Sequence, residues 1–149
     1  MQVWVRKDLF MNEQDNTALV QKLYAAFVKG DVQTILDNCT DDVAWTLEAP
    51  EIVPFGGKRR GLAEVKRFFE APATTQANQK LTIETFVAQG DHVATLGRYA
   101  GMVPATGKSF DTAVAHFFTI HNGKVSRFVD VGDTAAKADA YTNASAAGR

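Results

Sequence analysis

The chain of 149 residues has a single cysteine, Cys39, so no internal disulfide can form. A lone thiol fits a reducing compartment, and a cytoplasmic location is expected. With only four prolines and no low-complexity linker, nothing divides the chain into two domains. Neither sign of charge dominates: 16 Lys and Arg stand against 17 Asp and Glu, a formal net charge of -1. That balance offers no basic footprint for nucleic acid and no attraction to an anionic membrane. No apolar run approaches the roughly 20 residues that cross a bilayer. The three histidines, His92, His116 and His121, lack the spacing of a metal site, and Gly56-Gly57 has no phosphate-loop context. No metal or other cofactor is therefore expected.

What is present reads as one globular core, with 46% hydrophobic and 22% charged residues. Leu19, Val20, Leu23, Tyr24, Phe27 and Val28 recur at helical spacing, which predicts a helix over about 15–29, capped by Asp15 or Asn16 and ended by Gly30. Asp31 caps a second, short helix over about 31–38 carrying Val32, Ile35 and Leu36, with Cys39 assigned to that helix as well. From Asp42 the period becomes two, with Val43, Trp45 and Leu47 on one face of a strand. Prolines and glycines then predict a loop, in which Lys58-Arg59-Arg60 is a solvated cluster, though Gly61 could help it hold an anion. Gly61 opens a third helix over about 61–71, with Pro72 just after its end.

After Thr75 the pattern is antiparallel sheet. Leu81, Ile83, Thr85 and Val87 alternate, Gly90-Asp91 turns, and Ala94, Leu96, Arg98 and Ala100 alternate in the next strand. A closing hairpin turns at Asn122-Gly123, and Asp133-Thr134 starts an Ala-rich helix that packs through Ala135, Ala138 and Tyr141. Helices followed by a run of strands make an α+β fold. The domain spans residues 13–143, and 144–149 fray. Residues 1–12 form an extension; Met1–Phe10 lack the apolar stretch and cleavage site of a signal peptide, and read either as an extra strand or lid or, preferably, as upstream residues from a misplaced start.

The closing hairpin is also where chemistry concentrates. His116 and Asp130 sit inside its apolar strands, where burial without a partner or purpose is unfavourable. His92 and His121 lie beside turns and read as solvated.

Four stretches together resemble the nuclear transport factor 2-like superfamily, in its SnoaL-like and ketosteroid isomerase-like branch. They are Phe27-Val-Lys-Gly30-Asp31, Thr40-Asp41-Asp42-Val-Ala-Trp45, Phe55 to Phe69, and Gly123 to Thr134. The likeness covers roughly Glu13 to Tyr141. It implies a cone-shaped, curved antiparallel or mixed sheet packed on three N-terminal helices and enclosing one pocket. It also implies a small, largely apolar organic ligand and a homodimer formed through the outer face of the sheet. The family uses this pocket for isomerases, cyclases, dehydratases, hydrolases and non-enzymes, so the fold does not select a reaction.

Aligned residue by residue, the isomerase base falls on Leu47, with Glu48 beside it on the other face. The isomerase tyrosine falls on Leu23, one residue from Tyr24, and its second aspartate falls on His116. Steroid isomerisation of that type is therefore not expected. Epoxide hydrolase-like relatives pair an Arg-x-Asp with an Asp of the last strand; Arg98-Tyr99-Ala100 keeps the arginine, loses the aspartate, and Asp130 matches the last-strand acid. Asp130 also matches the base of the polyketide-cyclase relatives.

The resulting expectation is a cofactor-independent acid–base enzyme with Asp130 as base and Arg98 or His116 polarising a ligand oxygen. Tyr24, Phe27, Trp45, Leu47, Phe55, Phe69, Leu96, Phe118 and Phe128 would contact the ligand. The plainer alternatives are a buried ion pair and ordinary core aromatics, in a non-catalytic binding or accessory domain. Cooperation of His116 with Asp130 depends on hairpin register. A two-residue Asn122-Gly123 turn followed by regular pairing sets His116 against Val129 and sends Asp130 to the other face. A three-residue loop His121-Asn-Gly123 sets Ile120 against Lys124 and His116 against Phe128, with both side chains on one surface. The resemblance favours the three-residue loop.

Overall fold

In the computed structural model, which describes Met1 and residues 7–143, two helices meet at Gly30-Asp31. The first, α1 (Lys7–Val28), ends because Gly30 adopts φ +72. The Asp31 N–H then donates to the Ala26 carbonyl at 2.8 Å and the Gly30 N–H to the Phe27 carbonyl at 3.0 Å, satisfying carbonyls the helix leaves open. Asp31 caps α2 (Val32–Asp37) by accepting from the Thr34 N–H at 3.1 Å. The expected start of α1 at Asp15 or Asn16 is corrected, since the helix runs through both from Lys7. Asn16 is buried and donates to the Gly90 carbonyl, while Glu13 accepts from the Gly90 N–H, so tertiary contact with a strand turn replaces the capping role. Residues 2–6 of the expected extension and the tail 144–149 lie outside the described residues.

The remaining elements are β1 (Cys39–Leu47), β2 (Gly57–Arg60), α3 (Leu62–Thr75), β3 (Ala77–Gln89), β4 (His92–Val103), β5 (Lys108–His121), β6 (Lys124–Gly132) and α4 (Thr134–Tyr141). The six strands form one curved mixed sheet in the order β2-β1-β6-β5-β4-β3, parallel only between β1 and β6. This is the expected α+β architecture, and it is an open sheet rather than a closed barrel. Cys39 opens β1 opposite Val125 instead of ending α2. Lys58-Arg59-Arg60 is the edge strand β2, not a loop. Arg59 there bonds the Phe55 and Gly56 carbonyls and lies over the Phe68 ring. Pro72 falls inside α3, whose last turn continues because Thr74 and Thr75 bond back to the Glu70 and Ala71 carbonyls.

Strand β4 presents the opposite face from the one expected. Its inward residues are Val93, Thr95, Gly97, Tyr99, Gly101 and Val103, and Leu96 and Arg98 point outward. The two glycines account for the misreading, because small inward residues flatten the alternation. Gly97 sits so close to β3 that a Cβ there would lie 2.0 Å from the Thr82 carbonyl oxygen. Only glycine permits that approach.

The closing hairpin satisfies the face expectation by a different route. Asn122 and Gly123 both have positive φ, 51 and 78, and His121 pairs with Lys124, so the turn is the two-residue kind. The register then shifts between Thr119 and Ile120: Ile120 pairs with Val125, but Thr119 pairs with Arg127. Ser126 is the extra residue of this bulge, and its hydroxyl donates to the Thr119 carbonyl at 3.2 Å. Beyond it His116 stands opposite Asp130 and Phe118 opposite Phe128. The expected three-residue loop is thus corrected, while the shared face of His116 and Asp130 is present.

Candidate functional site

The concave face of the sheet, α1, α3 and α4 enclose a cavity of about 80 Å³. That is several times the roughly 10–15 Å³ one water needs. Most of its wall is aromatic. Trp45 of β1 stacks on Phe128 of β6 with centroids 4.1 Å apart, and Phe118 of β5 meets Phe128 edge-on at 5.0 Å. Tyr24 and Phe27 come from α1, Phe69 from α3 and Phe55 from the loop before β2. Each of these expected contact residues lines the cavity. Three expected residues do not. Leu47 is fully buried in the neighbouring core, because the parallel pairing sets it beside Asp130 but outside the cavity wall. Leu96, 50% exposed, and Arg98 lie on the outer face of β4. Arg98 pairs there with Asp111 at 2.9 Å, with its side chain half exposed.

Polar groups interrupt the apolar wall. His116 and Asp130 are both buried, and their Nε2 and Oδ1 are 3.5 Å apart, near enough for charge attraction but not aligned as a hydrogen bond. Among the described residues Asp130 Oδ1 is buried from solvent and has no hydrogen-bond donor. The Tyr24 hydroxyl lies 2.7 Å from His116 Nδ1 and 2.6 Å from Thr95 Oγ1. One proton arrangement serves all three: Thr95 donates to Tyr24, Tyr24 donates to Nδ1, and Nε2–H is left facing Asp130. Burial, and secondarily the Asp130 charge, raises the Tyr24 pKa well above its ordinary 10.0, which keeps the hydroxyl a donor.

A further polar group is Lys137, only 2% exposed, carried on α4 by the Asp133 cap that accepts from the Ala136 N–H. Its ammonium lies over the Tyr99 ring at 5.1 Å and the Phe55 ring at 5.9 Å. Burial lowers its pKa from 10.5, and the Asp130 charge partly opposes that. Tyr99 in turn donates to Gln76 Oε1 at 2.5 Å, and its pKa is raised chiefly by burial. Sequence reasoning missed Lys137, Tyr99, Thr95 and Gln76. On α4 the expected Ala138 and Tyr141 pack against the core, Ala135 is exposed instead, and Ala140 and Lys137, the latter one helical turn before Tyr141, complete the buried stripe. Spacing alone could have placed Lys137 on Tyr141's face.

Among the described residues no three His, Cys, Asp or Glu side chains converge as metal ligands. Cys39 is buried in the main core and its thiol is pushed up to about 12 by desolvation. No helix among the described residues is long and apolar enough to cross a membrane.

With this geometry in hand, comparisons with known proteins are informative. The family model of the SnoaL-like domain matches residues 20–128. An NTF2-like protein of Burkholderia thailandensis superposes with a TM-score of 0.79 at 28% identity, covering 85% of this chain and 97% of that one. An NTF2-like protein of unknown function from Burkholderia pseudomallei gives 0.78 at 27%, with coverages of 86% and 98%. TerC, co-crystallised with polyporic acid, gives 0.77 at 26%, with coverages of 85% and 98%. Among curated proteins nothing matches. The matched span and the shared architecture agree: the chain belongs to the SnoaL-like domain family of the NTF2-like superfamily.

Proposed function

We propose that this domain is a cofactor-independent acid–base enzyme of the isomerase or cyclase type, acting on a small, largely apolar organic molecule. Asp130 is the general base, and His116, held by Tyr24, is the donor that polarises the ligand. One observation carries the reading: a carboxylate buried in an aromatic cavity, with Oδ1 lacking any hydrogen-bond partner. A purely structural carboxylate at that depth would be expected to have its lone pairs satisfied. Arg98 takes no part in this reading, since it is paired on the far side of the sheet. The co-crystallisation of the similar TerC with polyporic acid supports an organic ligand in this type of pocket.

The test is deuterium exchange from D2O into the α-position of simple aryl ketones, followed by NMR. The wild-type protein should exceed an equal concentration of acetate, and Asp130→Asn should lose the excess. Equal rates for protein and acetate would reject catalysis in favour of a binding or accessory domain.

The same reading includes a homodimer and a cytoplasmic setting. The outer face aligns Leu96, Ala115 and Val131 across three strands, with Leu96 and Val131 each about half exposed. Leu96→Lys together with Val131→Lys should convert a dimer to a monomer in sedimentation. A wild-type monomer at high concentration would count against it.

A further inference from the structure

The cavity holds one cation that the acid–base reading leaves unused. Lys137 is buried, and among the described residues its ammonium has ring faces beside it but no hydrogen-bond acceptor and no carboxylate within ion-pair distance. Two aromatic faces offset part of the lost hydration, yet three N–H donors still lack oxygen acceptors. Across the same cavity Asp130 Oδ1 lacks a donor. A cation without an oxygen acceptor and a carboxylate oxygen without a hydrogen-bond donor, both in the wall of one cavity, describe a site that a ligand completes.

We propose that Lys137 is the oxyanion-stabilising residue of this site, and that the ligand is a neutral carbonyl or hydroxyl compound with an acidic proton, an enolisable ketone or a phenol. This rests on the reading of Asp130 as base. The ligand C–H or O–H bond breaks, its proton passes to an Asp130 carboxylate oxygen, and the electron pair stays on the ligand as an enolate or phenolate. That oxygen meets the Lys137 ammonium. Nothing is oxidised and no bond to the protein forms.

Charge bookkeeping selects this class over a preformed anion. Asp130 and Lys137 sum to zero, so a carboxylate ligand would leave one uncompensated negative charge in a low-dielectric cavity. A neutral acid leaves the sum unchanged, because the charge moves from Asp130 to the ligand beside Lys137. Of the other titratable groups facing the space, the Tyr24 and Tyr99 hydroxyls lie on His116 and Gln76, and His116 turns Nε2 toward Asp130. Burial that lowers the Lys137 pKa also makes its ammonium gain most from an arriving oxyanion.

The probe is 4-nitrophenol, titrated by absorbance in buffer well below its own pKa, where the free dye is the neutral phenol. Bound to the wild-type protein it should show the phenolate band. Lys137→Met should abolish that band and weaken binding at least about tenfold, the lower end for a hydrogen bond to a charged group. Lys137→Gln is the second variant if the first fails to fold. Asp130→Asn removes the acceptor of the ligand proton, so it should lose the phenolate band together with ketone exchange. A phenolate band that persists in Asp130→Asn would reject Asp130 as the base and keep the lysine assignment. Dye bound only as the neutral phenol, no dye binding, or a phenolate band that survives in both Lys137 variants would overturn it.

Discussion

The two faces of the sheet carry the same kinds of residue and give them different chemistry. On the outer face Arg98 and Asp111 meet at 2.9 Å, with side chains 52% and 65% exposed. On the inner face His116 and Asp130 sit 3.5 Å apart and are almost wholly buried. The shorter contact is the weaker one, because water and mobile ions screen it and two long side chains must be ordered to make it. The longer contact lies in an apolar enclosure where every unsatisfied polar atom is felt. Burial, not distance, ranks the two pairs.

The largest test of that ranking is catalytic. Asp130→Asn should reduce ketone exchange by about 10²–10⁴-fold, the range for losing a positioned base, while Asp111→Asn leaves it unchanged. A comparable loss in both would erase the distinction between the faces. Next comes packing, where neighbours on β5 can be compared directly. Phe118→Ala should cost about 3–5 kcal/mol in urea unfolding, and Phe117→Ala less than about 1 kcal/mol at a concentration where copies do not associate. Phe118 is 3% exposed and Phe117 37%.

A subtler effect appears in the pH dependence of stability. Burial puts the Lys137 pKa below 10.5, so between that lowered value and 10.5 the unfolded chain holds the extra proton and stability rises with pH. Tyr24 and Tyr99 are shifted above 10.0, so above pH 10 the folded state holds more protons and stability falls. Lys137→Met should remove the rising limb and keep the falling one. A rising limb that persists would show that Lys137 is hydrated. The smallest effect is Arg98→Ala, expected within about 1 kcal/mol of wild type and reduced further by salt.

Local chemistry was the legible part of the sequence. Gly30, Asp31 and Asp133 mark helix boundaries because capping is decided within a few residues. Val43, Trp45 and Leu47 show their inward face through plain alternation. The face of β4 was hidden because its inner residues include Gly97 and Gly101, chosen for close approach and not for hydrophobicity. The bulge at Ser126 was hidden because an extra residue in a ladder leaves no compositional trace, although it decides where Asp130 points. Lys137 was hidden because a lysine is ordinarily a surface residue, and only the approach of α4 to the sheet buries it.

Strand β6, late in the chain, is central in space. It joins β1 on one side to β5 on the other, so the first two strands have no path into the sheet until it arrives. Such long-range pairing slows folding, since loop closure must precede the contacts that reward it. As the chain leaves the ribosome, the aromatic wall from α1, β1 and α3 would wait unpartnered while β3 to β5 form their meander. Asp130 arrives on the same strand as Phe128, and Lys137 follows on α4, so the strand that closes the aromatic wall is also the one that delivers its carboxylate.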